Sequence, residues 1–203
     1  MTTQFAGSSE TIEIKLSGHS VGLMLETSGP QDGELWLLLP ALSTVSSRRE
    51  WRTFASAIGD RYQLVSFDWP GFGDSDRPPI SYDAKTLRAT LIAVLDHLTK
   101  KHKGKITVVA VGHSASAALS LADERSQEWN KLVLVAPTWR GPLPTMTGWT
   151  PAQFNWLRQL VSLPVVGSIL YRLNTSRAIL RLMLRRHVWV NPEMLSPENI
   201  REQ

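Results

Sequence analysis

Ile106-Thr107-Val108-Val109-Ala110-Val111-Gly112-His113-Ser114-Ala115-Ser116 is the stretch on which the fold turns, because an apolar β-type run meets small residues and then a helical one. The first half has the β-branched character of a strand covered on both faces. The continuation Ala117-Ala118-Leu119-Ser120-Leu121 has the composition of a helix start. A strand that passes directly into a helix turns sharply, and the turn tolerates only small side chains where backbone meets backbone. Such a turn is expected to lift the hydroxyl of Ser114 clear of the sheet and to set backbone N–H groups beside it. The plainer alternative is a serine that merely caps the helix behind it.

Working outward, Thr11 to Leu16 and Val21 to Leu25 alternate apolar and polar residues around Ser17-Gly18-His19, and predict a hairpin at a sheet edge. Leu35 to Leu39 is a short apolar run, and Tyr62 to Phe67 reads as another strand. Between them, Arg49 to Ile58 has helical periodicity and stops at Gly59. Tyr82 to Leu98 predicts a longer amphipathic helix, the helix after Ser114 runs to about Arg125, and Leu132 to Ala136 is a strand. Strands that alternate with helices form a mostly parallel α/β sheet with helices on both faces. Past Pro137 the pattern changes to a loop rich in Pro, Gly and Thr, then to short helices over 151–163, 165–173 and 175–187. The expected organisation is therefore an α/β core over 1–139 and a helical segment over 140–203.

Composition bounds the chemistry. The 203 residues include no cysteine, so disulfides, thiolate nucleophiles and cysteine metal sites are excluded. Neither a metal nor an organic cofactor is called for by any residue cluster. Met1 to Glu10 lacks the basic start and apolar core of a signal peptide, and a cytoplasmic location is expected. The net charge of +4 is carried by the end of the chain: residues 140–203 hold 8 Arg and 3 Glu, against 14 Lys+Arg and 15 Asp+Glu before them. Arginines such as Arg172, Arg177, Arg181, Arg185 and Arg186 read as the solvated face of packed helices. Neither nucleic-acid binding nor membrane contact is expected from them, since no recognition motif accompanies the charge.

Three features fall at the carboxyl ends of predicted strands, where open α/β sheets place a ligand crevice. They are Pro40-Ala41-Leu42-Ser43, Asp68-Trp69-Pro70-Gly71-Phe72-Gly73-Asp74-Ser75-Asp76, and the turn at Ser114. Their order and spacing resemble the α/β-hydrolase fold family over roughly residues 11–139, and the later helices are similar to the start of that family's cap. The resemblance implies that Ser114 is the nucleophile of an ester-type hydrolase, with oxyanion donors on the N–H groups of Leu42 and Ala115. It implies a small apolar ester-like substrate and a crevice lined by Pro40, Ala41, Asp68, Trp69 and His113. Two departures stand out, since Pro40-Ala41 replaces the family's His-Gly and Ser116 replaces a glycine.

His113 adjoins the serine, but neighbours on a sharp turn point apart, so it is not expected to be the base. Asp68 is expected to tie down the glycine-rich loop through turn hydrogen bonds. Trp139, Trp149, Trp156 and Trp189 are candidates for lining an apolar cavity. The family's triad acid and histidine follow later strands that this sequence does not reach, and His187, Glu193, Glu198 and Glu202 have no strand before them. The chain is thus expected to be the amino-terminal part of a hydrolase, nearly inactive alone, with an uncovered sheet edge that favours self-association. The rival reading is a non-catalytic protein of the same fold that binds a small ligand or a partner.

Overall fold

The structure, a computed structural model, describes residues 7–43, 46–138, 148, 150–174, 176 and 179. Contacts divide it into two compact units, Met1–Trp139 and Arg140–Gln203.

In the first unit, β1 (Gly7–Leu16) and β2 (His19–Ser28) form the expected hairpin, several residues longer than their alternation alone predicts. The two-residue turn at Ser17 and Gly18 takes φ of +48° and +84°, the left-handed pair that matches the twist of a hairpin. Then follow β3 (Leu35–Leu39), a 3-10 turn over Arg48–Trp51 leading into α1 (Arg52–Ile58), and β4 (Gln63–Phe67). Next come α2 (Ala84–Lys101), β5 (Ile106–Val111), α3 (Ser114–Ala122) and β6 (Trp129–Val135). The six strands lie in the order β1-β2-β4-β3-β5-β6, with β3, β4, β5 and β6 parallel, β2 antiparallel to β4, and β1 antiparallel to β2.

Successive residues of a strand point to opposite faces, and here both faces are covered. Leu37, Leu39, Val65, Val108 and Ala110 pack with Leu91, Val94, Leu95, Ala118 and Leu121 of α2 and α3. Their strand neighbours Leu38, Leu64 and Val109 pack instead with Trp51 and Ala55 of the 3-10 turn and α1. This is why the inner strands read as largely apolar runs, with Ser66 and Thr107 buried among them. Helix α2 begins two residues later than its periodicity suggests, because the Asp83 side chain accepts the Thr86 N–H at 2.9 Å and caps it.

In the second unit a 3-10 turn over Pro151–Phe154 leads into α4 (Asn155–Ser162), and α5 (Pro164–Asn174) follows. Pro164 starts α5, where its missing N–H costs nothing. The helix predicted over 175–187 lies outside the described residues apart from Ser176 and Ile179.

Candidate functional site

The parallel strands β3, β4 and β5 end together, and three loops rise from their carboxyl ends. The loop after β4 is the most firmly built. Asp68 has no exposed surface, and its carboxylate accepts the N–H of Arg48 at 2.7 Å and of Asp74 at 2.8 Å. It also pairs with the Arg48 guanidinium, which bonds Glu26 at 2.8 Å and Asp74 at 2.9 Å as well. Burial alone lowers the pKa of Arg48, but Asp68, Asp74 and Glu26 outweigh it and hold the guanidinium above its usual value. Gly73 takes φ +47°, and a Cβ there would stand 2.1 Å from a carboxylate oxygen of Asp68. The glycine is therefore required by the carboxylate beneath it. Ser75 continues the brace: its Oγ donates to the Asp68 carbonyl at 2.7 Å and accepts the Met24 N–H at 2.9 Å.

Trp69 is buried and donates its indole N–H to the Pro40 carbonyl at 3.1 Å, which ties this loop to the one after β3. Asp68, Trp69 and Pro40 thus support the crest from below rather than offering groups to solvent. Arg48, the hub of this ion cluster, is a residue that sequence reasoning missed. It lies twenty residues from Asp68, at the start of the 3-10 turn, and no spacing rule connects such a pair.

The elbow itself corrects an expectation. Ser114 has no exposed surface, and its hydroxyl points back into the strand ends. Its Oγ lies 2.8 Å from the Val111 carbonyl and 3.2 Å from the Leu39 carbonyl, to either of which its proton can go, and it accepts the Val111 N–H at 3.0 Å. The reason is the register of the turn. Gly112 carries the left-handed conformation, at φ +58°, while Ser114 is already the first residue of α3. A Cβ at Gly112 would meet only the Ala41 methyl, at 3.6 Å, so the apex facing the β3 loop is residue 112.

The small residues that flank this apex at a spacing of two are Ala110 and Ser114, both buried. The sequence in fact contains two overlapping frames, Ala110-x-Gly112-x-Ser114 and Gly112-x-Ser114-x-Ser116, and the fold uses the first. The same register engages the expected oxyanion donor. Ala115 N–H donates to the Gly112 carbonyl at 3.3 Å, and Ser116 N–H to that of His113 at 3.1 Å. His113 is the N-cap residue of α3, and its side chain caps nothing.

On the opposite wall, Leu42 packs against the core, and the Ala41 N–H is held by Glu50. Glu50 is exposed as a residue, yet its carboxyl end is crowded against the loop. That crowding, with Asp68 nearby, pushes its pKa up to about 7 against the pull of hydrogen bonds from Ala41 and Ser46. Among the described residues no group of three or more histidines and carboxylates is placed to hold a metal ion. Of the four tryptophans considered for a cavity, Trp156 is 59% exposed and Trp139, Trp149 and Trp189 lie outside the described residues, as does His187. No described helix is long and apolar enough to cross a membrane.

Comparison with known proteins places this geometry. The profile of the alpha/beta hydrolase family matches residues 36–199. An uncharacterized hydrolase of Bacillus subtilis, YugF, is 30% identical over 94 residues, which are 45% of this chain and 33% of that protein. Among solved structures, Cfl2 from Burkholderia cenocepacia superposes with a TM-score of 0.70 at 26% identity, over 98% of this chain and 66% of its own. The epoxide hydrolase VrEH1 from Vigna radiata follows with a TM-score of 0.68 at 20% identity, over 95% of this chain and 65% of its own. The chain thus spans one third of the Bacillus relative and just under two thirds of the solved structures. It belongs to the alpha/beta hydrolase family.

Proposed function

We propose, from that family membership as premise, that the chain forms a hydrolase-type crevice for a small, largely apolar carbonyl ligand, and that Ser114 serves there as a structural serine. The observation that carries this reading is the inward hydroxyl of Ser114 beneath a glycine apex. A serine nucleophile has to reach the ligand and lie within hydrogen-bond distance of a base. Ser114 reaches neither while its hydroxyl is bonded to Leu39 and Val111. What the crest then offers is an apolar wall at Ala41 and Leu42 together with the Leu42 N–H, which suits a carbonyl or carboxylate oxygen.

The experiment is covalent labelling with a fluorophosphonate, read by intact mass, together with retention of a short-chain p-nitrophenyl ester analogue. Under this reading the chain binds the analogue and takes no label. Stoichiometric label at Ser114 would overturn it.

A second reading keeps Ser114 as the nucleophile of an ester hydrolase, in a complete protein that supplies an acid and a histidine. The overlapping second frame supports it, with Gly112 and Ser116 as the small flanking residues. Moving the strand-to-helix junction by two residues would bring Ser114 to the apex and leave every β5 side chain on its present face, since strand faces repeat every two residues. The hydrolase named in the Bacillus relative is consistent with it. Here the fluorophosphonate labels Ser114 of the longer protein, and Ser114→Ala abolishes both label and turnover.

A further inference from the structure

Glu50 stands directly behind the wall of the crevice. It lies in the 3-10 turn after β3 and reaches back over the loop it follows, where its Oε1 accepts the Ala41 N–H at 2.5 Å. Ala41 precedes Leu42, and its methyl is the group that faces the Gly112 apex. One carboxyl therefore fixes the peptide that joins the two crevice residues of this loop.

The charged neighbours of Glu50 leave it without a matching cation. Asp68, from the loop after β4, is the like charge beside it, and Ser46 supplies a hydrogen bond. The two arginines on its own turn are engaged elsewhere, Arg48 with Glu26, Asp68 and Asp74, and Arg49 with Asp74. Among the described residues no ion pair reaches Glu50.

We propose that Glu50 is a positioning residue of the crevice: its carboxyl holds the 40–43 loop by the Ala41 amide, and the loop responds when that carboxyl gains or loses its proton. A neutral carboxyl accepts the amide as an ordinary hydrogen bond. An ionised one accepts it as a charge-assisted bond, roughly twice as strong. Ionisation also sets a negative charge one residue from the Leu42 N–H, so an anion at the crevice binds less well when Glu50 is charged. The proton uptake falls in the neutral range, because crowding of the carboxyl and the nearby Asp68 raise its pKa to about 7. The inference rests on the crevice reading for what the loop serves, but not for the titration of the loop itself.

The test is amide NMR on the full chain between about pH 5.5 and about pH 8.5, bracketing the raised carboxyl. The Ala41 and Leu42 amides shift with one midpoint near 7, and in Glu50→Gln, which keeps an acceptor but no titrating group, they do not. His113→Gln, at the neighbouring turn, is the second control, and the shift persists in it. Glu50→Ala raises hydrogen exchange of the Ala41 amide about tenfold, as loss of one such bond predicts.

Amides that do not titrate in the unaltered chain, or that titrate equally in Glu50→Gln, would overturn the proposal. Sodium butyrate serves as the probe anion, and shifts the Leu42 amide more below neutrality than above it. A loop that titrates as described while butyrate leaves Leu42 unmoved at every pH supports the positioning role and counts against the crevice.

Discussion

At position 114 the hydroxyl bonds backbone groups, accepting the Val111 N–H and lying within reach of the Val111 and Leu39 carbonyls. Deleting it in Ser114→Ala leaves the partly buried Val111 N–H without its acceptor, a loss of about 1 kcal/mol of stability, read as a lowered midpoint in urea unfolding. Two glycines give unequal expectations for a reason visible in their surroundings. Gly112→Ser carries only the cost of a left-handed side chain, about 1–2 kcal/mol, since its Cβ meets nothing closer than the Ala41 methyl. Gly73→Ala has to displace the Asp68 carboxylate from its buried ion pair and is expected to cost more, about 3–5 kcal/mol. Equal unfolding midpoints for the two variants would show that the apex is not where Gly112 lies. The sequence makes the turn legible but not its register, because Ala110, Gly112, Ser114 and Ser116 are all small and each adjacent trio satisfies the same steric rule.

At the scale of elements, Arg48 joins three of them: the 3-10 turn that carries it, β2 through Glu26, and the loop after β4 through Asp68 and Asp74. Removing one partner of a buried ion cluster strands the others, so Arg48→Ala is expected to lose about 3–5 kcal/mol in equilibrium unfolding. Helix α2 is held differently. Leu91→Ala, at a fully buried position between α2 and the sheet, is expected to cost about 2–5 kcal/mol.

Glu50 gives the same turn a pH dependence. Its folded pKa, about 7, lies above its ordinary value of 4.5, so the folded chain holds a proton that the unfolded chain releases. The contribution is present below about 4.5 and is lost as pH rises to about 7; Glu50→Gln flattens the stability profile across that window. The strands were legible as elements because two covered faces demand largely apolar runs. The hub at Arg48 was not, since an ion cluster formed by three separate segments leaves no periodic trace.

For the whole molecule, β6 is an edge: among the described residues its one strand neighbour is β5, and Val133 and Val135 are 40% and 44% exposed. An unpaired parallel edge with apolar side chains predicts concentration-dependent self-association in sedimentation, reduced by Val135→Lys. A monomer at every concentration would contradict this. The architecture followed from the alternation of strands and helices, and the family from the order of three loops along one crest. The function is harder to read at this scale, because the chain shares its fold with proteins longer than itself.

The central claim is that the serine of the elbow braces the sheet and the glycine before it holds the apex. Fluorophosphonate labelling followed by intact-mass analysis tests it most directly. The account predicts an unmodified chain after prolonged exposure, with Ser114→Ala indistinguishable from it; a stoichiometric adduct that maps to Ser114 and vanishes in that variant would contradict it.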